Sequence, residues 1–139
     1  MLYDKKWETK TQEVFSSAKS LKIPAKDRAA LIEVLRRLEA GELQHTDPWC
    51  STIPNGFNTQ TTGKKQDCGT VACIGGWVAF LTNRDSDAYV KRAKDNLCRL
   101  YWPDVESMAA ISVAQAARAL RSYLTTGQPN WKAAMADGR

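Results

Sequence analysis

The stretch of sequence that decides the fold runs from residue 67 to residue 82 and reads DCGTVACIGGWVAFLT. It contains the longest apolar run of the chain, the eleven residues from Val71 to Leu81. That run falls well short of the roughly 20 residues that a membrane-spanning helix needs. The larger apolar side chains recur at helical spacing, at Val71, Ile74, Trp77, Val78 and Leu81. With Asp67 as a cap, this pattern predicts a central helix over residues 68–82.

Two glycines, Gly75 and Gly76, lie inside the predicted central helix. Each costs a helix about 1 kcal/mol relative to alanine. Because glycine has no Cβ atom, it allows a neighbouring element to come unusually close. We therefore expect another helix or the backbone of the loop to pack closely against this part of the chain.

Apolar periodicity on both sides of this stretch predicts four further helices. The clearest begins at Pro24 and ends before Gly41, with an apolar stripe at Ala30, Leu31, Val34, Leu35 and Leu38. The others cover about residues 6–20, 86–101 and 112–125, and the last of these opens with a capping box at Ser112 and Gln115. No convincing alternating pattern of a strand is visible. The sequence thus predicts a single all-α domain over residues 1–139, with about five helices around helix 68–82 and a long loop at 42–66.

The chain is basic, but its charge is spread evenly. The net charge of +5 comes from 20 Lys and Arg side chains against 15 Asp and Glu side chains, and acidic residues are interspersed throughout. Dedicated nucleic-acid binders usually cluster their basic residues on one face, so this spread is more typical of a solvated surface. No apolar segment follows the N-terminal charges, which predicts a cytoplasmic protein with no signal peptide and no membrane partner.

The long polar loop is the first candidate for a functional site. Loops of this length are uncommon inside a domain unless they are functional, and loops on a rigid scaffold often carry binding residues. Trp49 and Phe57 would anchor a partner there, and Lys64 and Lys65 would supply charges at the rim. Since the sequence contains no complete catalytic set, this interpretation predicts a non-enzymatic binding protein that needs no cofactor.

Direct nucleic-acid binding is the main alternative. Lys91, Arg92 and Arg99 lie on the predicted fourth helix, and Arg84 comes just before it. Basic side chains on one face could contact phosphates, whereas Asp87 and Asp95 on the same helix favour an ordinary solvated surface. The sequence therefore leaves a nucleic-acid-binding regulator as a second possible function.

The cysteines allow three interpretations. The first is a structural zinc site, because His45, Cys50, Cys68 and Cys73 supply the four nitrogen and sulfur ligands of tetrahedral zinc. The second is a cysteine-dependent enzyme, with Cys68 activated at a helix N-terminus and His45 as its base. The third is that the thiols are simply buried as small apolar groups. We expect the third, with Cys73 the most protected thiol, and keep the zinc-organised domain and the enzyme as alternatives.

The segment from Cys68 to Val78 resembles a motif of small, uncharacterised proteins of bacteriophages and bacteria, Cys-Gly-Thr-x-x-Cys-Ile-x-Gly-Trp. The likeness covers about residues 28–131 and includes Phe57, the Trp102-Pro103 pair and the Thr126-Gly127 helix end. Gly75 stands where an alanine is expected. The resemblance implies no particular chemistry. It implies a phage or prophage protein that acts in the host cytoplasm. Such a protein would block a host protein or nucleoprotein complex, as anti-CRISPR inhibitors do.

Overall fold

The computed structural model describes residues 15–45, 55–58, 64–66, 69–103 and 110–136. Helices make up most of these residues and pack together, which confirms the predicted all-α fold class. The seven helices within these ranges are α1 (Ala18–Leu21), α2 (Ala25–Glu39), α3 (Ile74–Leu81), α4 (Ser86–Lys91), α5 (Asp95–Tyr101), α6 (Val113–Thr126) and α7 (Trp131–Ala136). None of these seven helices is long and apolar enough to cross a membrane.

Helix α2 agrees closely with its sequence pattern. Its predicted apolar stripe is buried, namely Ala30, Leu31, Val34, Leu35 and Leu38. The helix follows Pro24 and ends where Gly41 takes a φ of +75° and the amide of Glu42 donates to the carbonyl of Arg37. This is a glycine-terminated Schellman turn. Asp27 lies off the predicted stripe and is nevertheless buried, with 3% of its surface exposed.

Helix α6 is the second long element of the core and packs against α2. Its capping box is present: the Ser112 hydroxyl accepts from the amide of Gln115 at 3.1 Å, and the Gln115 side chain accepts from the amide of Ser112 at 2.9 Å. The helix ends at Gly127, whose φ is +87°. Trp131 of α7 then folds back into the same core. The predicted start and end of this helix are therefore confirmed.

Four short strands occupy parts of the chain that were predicted to be loop or helix. They are β1 (Gln44–His45), β2 (Asn55–Phe57), β3 (Lys64–Gln66) and β4 (Gly69–Ala72), and they form a sheet in the order β1-β2-β4-β3. The β1–β2 and β2–β4 pairs are parallel, and β3 is antiparallel to β4. The prediction of a continuous loop at 42–66 is therefore wrong at these strands. Strands of two to four residues are too short to show an alternating pattern.

The predicted central helix is present but begins later than expected. Residues 69–72 form strand β4, and α3 starts at Ile74 with Cys73 as its N-cap. The predicted cap, Asp67, lies outside the described residues. Helix α3 contacts α2, α4 and β4, which confirms its central place among the described elements.

Two further helix predictions need correction. The helix predicted over 86–101 is broken into α4 and α5, and Asp95 at the start of α5 has a φ of +56°. The helix predicted over 6–20 lies mostly outside the described residues. Within its described part, Phe15, Ser16 and Ser17 are not helical, and the Ser17 hydroxyl caps α1 by accepting from the amide of Ser20.

Gly75 explains how both α4 and α5 reach α3. A Cβ atom at this position would lie 2.8 Å from Cγ2 of Val90 in α4 and 3.0 Å from the ring of Tyr101 in α5. Protein interiors are packed too tightly to absorb such contacts without displacement. The close approach expected from the sequence is therefore confirmed, and the neighbours are side chains of two helices.

We predict that Gly75→Ala destabilises the fold by about 1–3 kcal/mol, because an added methyl group overpacks a filled site. A loss of stability would be informative, because in an unobstructed helix alanine is more favourable than glycine by about 1 kcal/mol. Urea denaturation followed by circular dichroism measures the change in the free energy of unfolding.

The control is a double-mutant cycle with Val90→Ala, which removes the nearest obstructing atom. The pair should be less destabilised than the sum of the two single variants, because the contacts are shared. A Gly75→Ala protein as stable as the wild type would contradict the packing described here.

Candidate functional site

The motif residues at the start of α3 bond to one another. The Cys73 sulfur accepts a hydrogen bond from the amide of Gly76 at 3.3 Å and so caps α3. Cys73 and Gly76 are both buried. Cys73 and Gly76 of the motif thus have a structural role, because the hydrogen bond between them caps α3.

Trp77 connects this helix start to the sheet. Its indole Nε1 donates to the backbone carbonyl of Gly56 in β2 at 2.9 Å, and the bond is buried. The Trp77 ring also packs edge-on against Phe80, with ring centroids 5.8 Å apart. This hydrogen bond joins residues 21 positions apart and holds β2 against α3.

The environment of Cys73 is that of a packed thiol. Burial raises its pKa to about 11, and hydrogen bonding from the amide of Gly76 offsets only part of that rise. A nucleophilic cysteine needs the opposite shift. Cys73 is therefore inert in this arrangement, which fits the expected protection of its thiol.

The predicted zinc ligands are not brought together among the described residues. His45 is exposed in β1, Cys73 is buried, and Cys50 and Cys68 lie outside the described part of the chain. Within that part, no group of three or more His, Cys, Asp or Glu side chains could hold a metal ion. Zinc binding and nucleophilic catalysis by Cys68 both stay predictions.

One of the two predicted anchors of the loop site, Phe57, belongs to the core instead. Phe57 is completely buried in the hydrophobic core, so it does not present a ring to a partner. Trp49 lies outside the described residues. Lys64 and Lys65 lie in β3, opposite Val71 and Thr70 of β4.

Two of the four residues of the predicted nucleic-acid face form ion pairs with carboxylates. Arg84 lies 2.8 Å from the carboxylate of Asp27, and only 25% of its side chain is exposed. Lys91 lies 3.0 Å from the carboxylate of Asp87. Two of the four predicted phosphate contacts are thus paired within the chain, whereas Arg92 and Arg99 are exposed and form no ion pair with a described carboxylate.

Arg84 belongs to a polar network between α2, α4 and α5. Its guanidinium lies 5.0 Å from the ring centroid of Tyr89, and the Tyr89 hydroxyl is 2.7 Å from that of Tyr101 and 3.4 Å from the Asp27 carboxylate. Burial raises the pKa of both tyrosines, so both phenols stay neutral. The network joins three helices and balances the charge of Asp27 internally.

A cleft of about 640 Å³ opens beside this network, between α1, the start of α2, the α4–α5 connection and the end of α6. Apolar residues such as Leu21, Ile23 and Leu97 line part of it. Three exposed basic side chains also line it: Lys22, Arg92 and Lys94. Its carboxylates are Asp27, which is paired with Arg84, and Asp95. The charge facing this first cleft is therefore mainly positive.

A second cleft of about 740 Å³ lies on the other side of α5. Its lining includes Trp102, Arg99 and Lys132, and no carboxylate is among the described residues that line it. Trp102 is 42% exposed, whereas Trp77 and Trp131 are buried. This cleft combines an exposed aromatic ring with two cations.

Asn96 lines both clefts, and we treat the two clefts as one candidate site. We call its basic rim the α5 surface, defined by Lys22, Arg92, Lys94, Arg99 and Lys132. These five residues come from separated segments of the chain, so the even spread of charge along the sequence conceals their grouping. Two of the five, Arg92 and Arg99, were among the residues predicted from the sequence to contact nucleic acid, whereas Lys22, Lys94 and Lys132 were not.

Comparison with known proteins adds no relative: no family model, curated protein or solved structure matches the chain. The resemblance to small phage and bacterial proteins therefore stays a prediction.

We predict that Cys73 reacts with iodoacetamide far more slowly than the half-buried Cys98 in the native protein. Because folding raises the Cys73 pKa from 9.0 to about 11, its contribution to stability is complete below pH 9 and is lost as the pH rises toward 11. Peptide mapping by mass spectrometry measures labelling at each cysteine.

Addition of denaturant should remove the difference in labelling between the two cysteines. Equal labelling of Cys73 and Cys98 in the native state would contradict the assignment of Cys73 as a buried helix cap.

Proposed function

We propose that this chain is a non-enzymatic binding protein whose α5 surface holds a polyanionic partner. The observation that carries the proposal is the grouping of five exposed cations around two clefts that share Asn96, with Asp95 as the one described lining carboxylate not paired to a described cation. A concave surface of one charge attracts ligands of the opposite charge and speeds their association.

Five other basic residues of the described chain are placed differently. Arg36, Arg37, Arg121, Lys91 and Arg84 each form an ion pair with a carboxylate. The five cations of the α5 surface have no ion pair with any described carboxylate. Their charge is therefore available to a ligand, in contrast to the charge of the paired residues.

The buried thiol supports a binding role over an enzymatic one. The described cysteine of the motif, Cys73, is a protonated helix cap, and the tyrosines beside Asp27 are neutral members of an internal network. These groups stabilise the fold and leave the α5 surface as the feature that faces outward.

The biological setting of the proposal comes from the sequence resemblance. A small phage-encoded inhibitor that acts on a host nucleoprotein complex in the cytoplasm would meet a polyanion there, because such complexes contain nucleic acid. The proposed partner is thus a host nucleoprotein complex, and the α5 surface supplies the contact.

We expect the double variant Lys94→Glu with Lys132→Glu to elute from immobilised heparin at clearly lower salt than the wild type. Heparin is used as a generic polyanion, and each substitution reverses one charge of one cleft. The salt concentration at which the protein elutes depends on the number of ionic contacts, because binding to a polyanion releases counterions.

The matched control is Lys19→Glu with Lys26→Glu, which changes the net charge by the same amount outside both clefts. All four lysines lie at or next to the first residue of a helix, where a carboxylate is tolerated. If the two double variants elute at the same salt, net charge alone explains retention and the proposed surface is rejected.

A further inference from the structure

We infer that the second cleft binds single-stranded nucleic acid, with Trp102 stacking on a base and Arg99 and Lys132 contacting phosphates. This inference rests on the proposed function and narrows it, because it names the chemical class of the polyanion and the residue that recognises it. Proteins that bind single strands combine a positively charged groove with aromatic rings on which bases stack.

Trp102 has the placement that stacking requires. The residue is 42% exposed, and its indole Nε1 donates to the backbone carbonyl of Val90 at 3.4 Å, which holds one edge of the ring against the protein. The neighbouring Pro103 is buried and restricts the backbone that carries the ring. An exposed ring held in this way loses little conformational freedom when a base stacks on it.

The floor of the cleft is fixed by a second tryptophan. Trp131 is buried, and its indole Nε1 donates to the backbone carbonyl of Arg99 at 3.1 Å. This bond positions the segment that carries Arg99, whose side chain reaches the Asn96 amide oxygen at 3.4 Å. The cation and the stacking ring are therefore held on the same wall, with Lys132 on the adjoining helix α7.

Neutral polar groups complete the site. Asn96, Gln128 and Asn130 line the second cleft, and each side-chain amide offers both a donor and an acceptor. Base edges carry the same kinds of groups, and they are exposed in an unpaired strand. Asn96 also lines the first cleft, whose Lys22, Arg92 and Lys94 can contact the phosphates of further nucleotides.

An unpaired strand fits these features better than a duplex or an acidic protein. In a duplex the faces of the bases are already stacked on one another, so Trp102 would have no base to receive. An acidic protein would satisfy the cations but supplies no regular series of planar rings for an exposed indole. Stacking therefore distinguishes the three classes of partner.

The direct test is fluorescence anisotropy with a labelled oligothymidylate of about twelve nucleotides, a length within the range of known single-strand sites. We expect Trp102→Leu and Trp102→Ala to weaken binding by about 10- to 100-fold, as loss of one stacked base predicts. Trp102→Phe should retain most of the affinity, because phenylalanine also stacks. Trp102→Leu keeps an apolar side chain at the surface and so preserves a readout if Trp102→Ala does not fold.

Two controls separate stacking from general effects. Leu81→Ala removes another exposed large apolar side chain, at the end of α3, and should leave binding unchanged. Arg99→Gln and Lys132→Gln should each reduce the slope of log affinity against log salt by about 0.7, the value for one phosphate contact on a single strand. Lys91→Gln, which removes a cation already paired with Asp87, should change that slope much less.

The remaining outcomes distinguish this inference from the proposed function. Equal binding of wild type and Trp102→Leu, or equal binding of the oligothymidylate and its duplex with oligoadenylate, overturns the inference. The proposed function survives that result if Lys94→Glu with Lys132→Glu still weakens binding. Binding of labelled polyglutamate without binding of the oligonucleotide overturns the inference in favour of an acidic protein partner. Binding of neither probe overturns both.

Discussion

The structure depends on the close packing of two helices against a glycine. Because Gly75 has no side chain, Val90 of α4 and Tyr101 of α5 both reach the backbone of α3. Two residues earlier the helix is capped by the Cys73 sulfur, and two residues later the Trp77 indole bonds to the carbonyl of Gly56 in β2. Within five residues the chain thus fixes the start of its central helix, its contact with the sheet and the position of the helix that carries the α5 surface.

This arrangement gives the motif a physical explanation. Cys-x-x-Gly allows a thiol to cap a helix, the glycine before that Gly admits neighbouring side chains, and the tryptophan fastens a strand that is distant in sequence. The residues in these three roles are all buried, so the motif builds the interior of the protein. On the surface of the described chain, the basic residues differ in their ion pairing. Several are paired with carboxylates, whereas those of the α5 surface have no described carboxylate as a partner. The motif and the candidate binding site are therefore separate parts of the molecule, connected through the packing of α5 on α3.

Sequence reasoning identified the parts of the fold that depend on local periodicity. The stripe of α2 and the capping box of α6 are complete signals within a few turns of helix, and both were predicted correctly. The four strands were missed because each is two to four residues long and is held by pairing with distant segments. Asp27 lies off the apolar stripe of α2, and its burial could not be predicted because its partner, Arg84, is far away in the sequence. The α5 surface was predicted only in part for the same reason: Arg92 and Arg99 were named as candidate phosphate contacts, but Lys22 and Lys132 join them only when the helices pack.

The central claim is that the motif builds the interior while the α5 surface binds the partner. The most direct measurement is a nuclear magnetic resonance titration of the isotope-labelled protein with the oligothymidylate, following backbone amide and tryptophan indole signals. The account predicts the largest shifts at Asn96, Arg99, Lys132 and the Trp102 indole, with the Trp77 indole signal unmoved. Shifts centred instead on strands β2 and β3, or on the Trp77 indole, would contradict it and would place binding at the segment around residues 42–66.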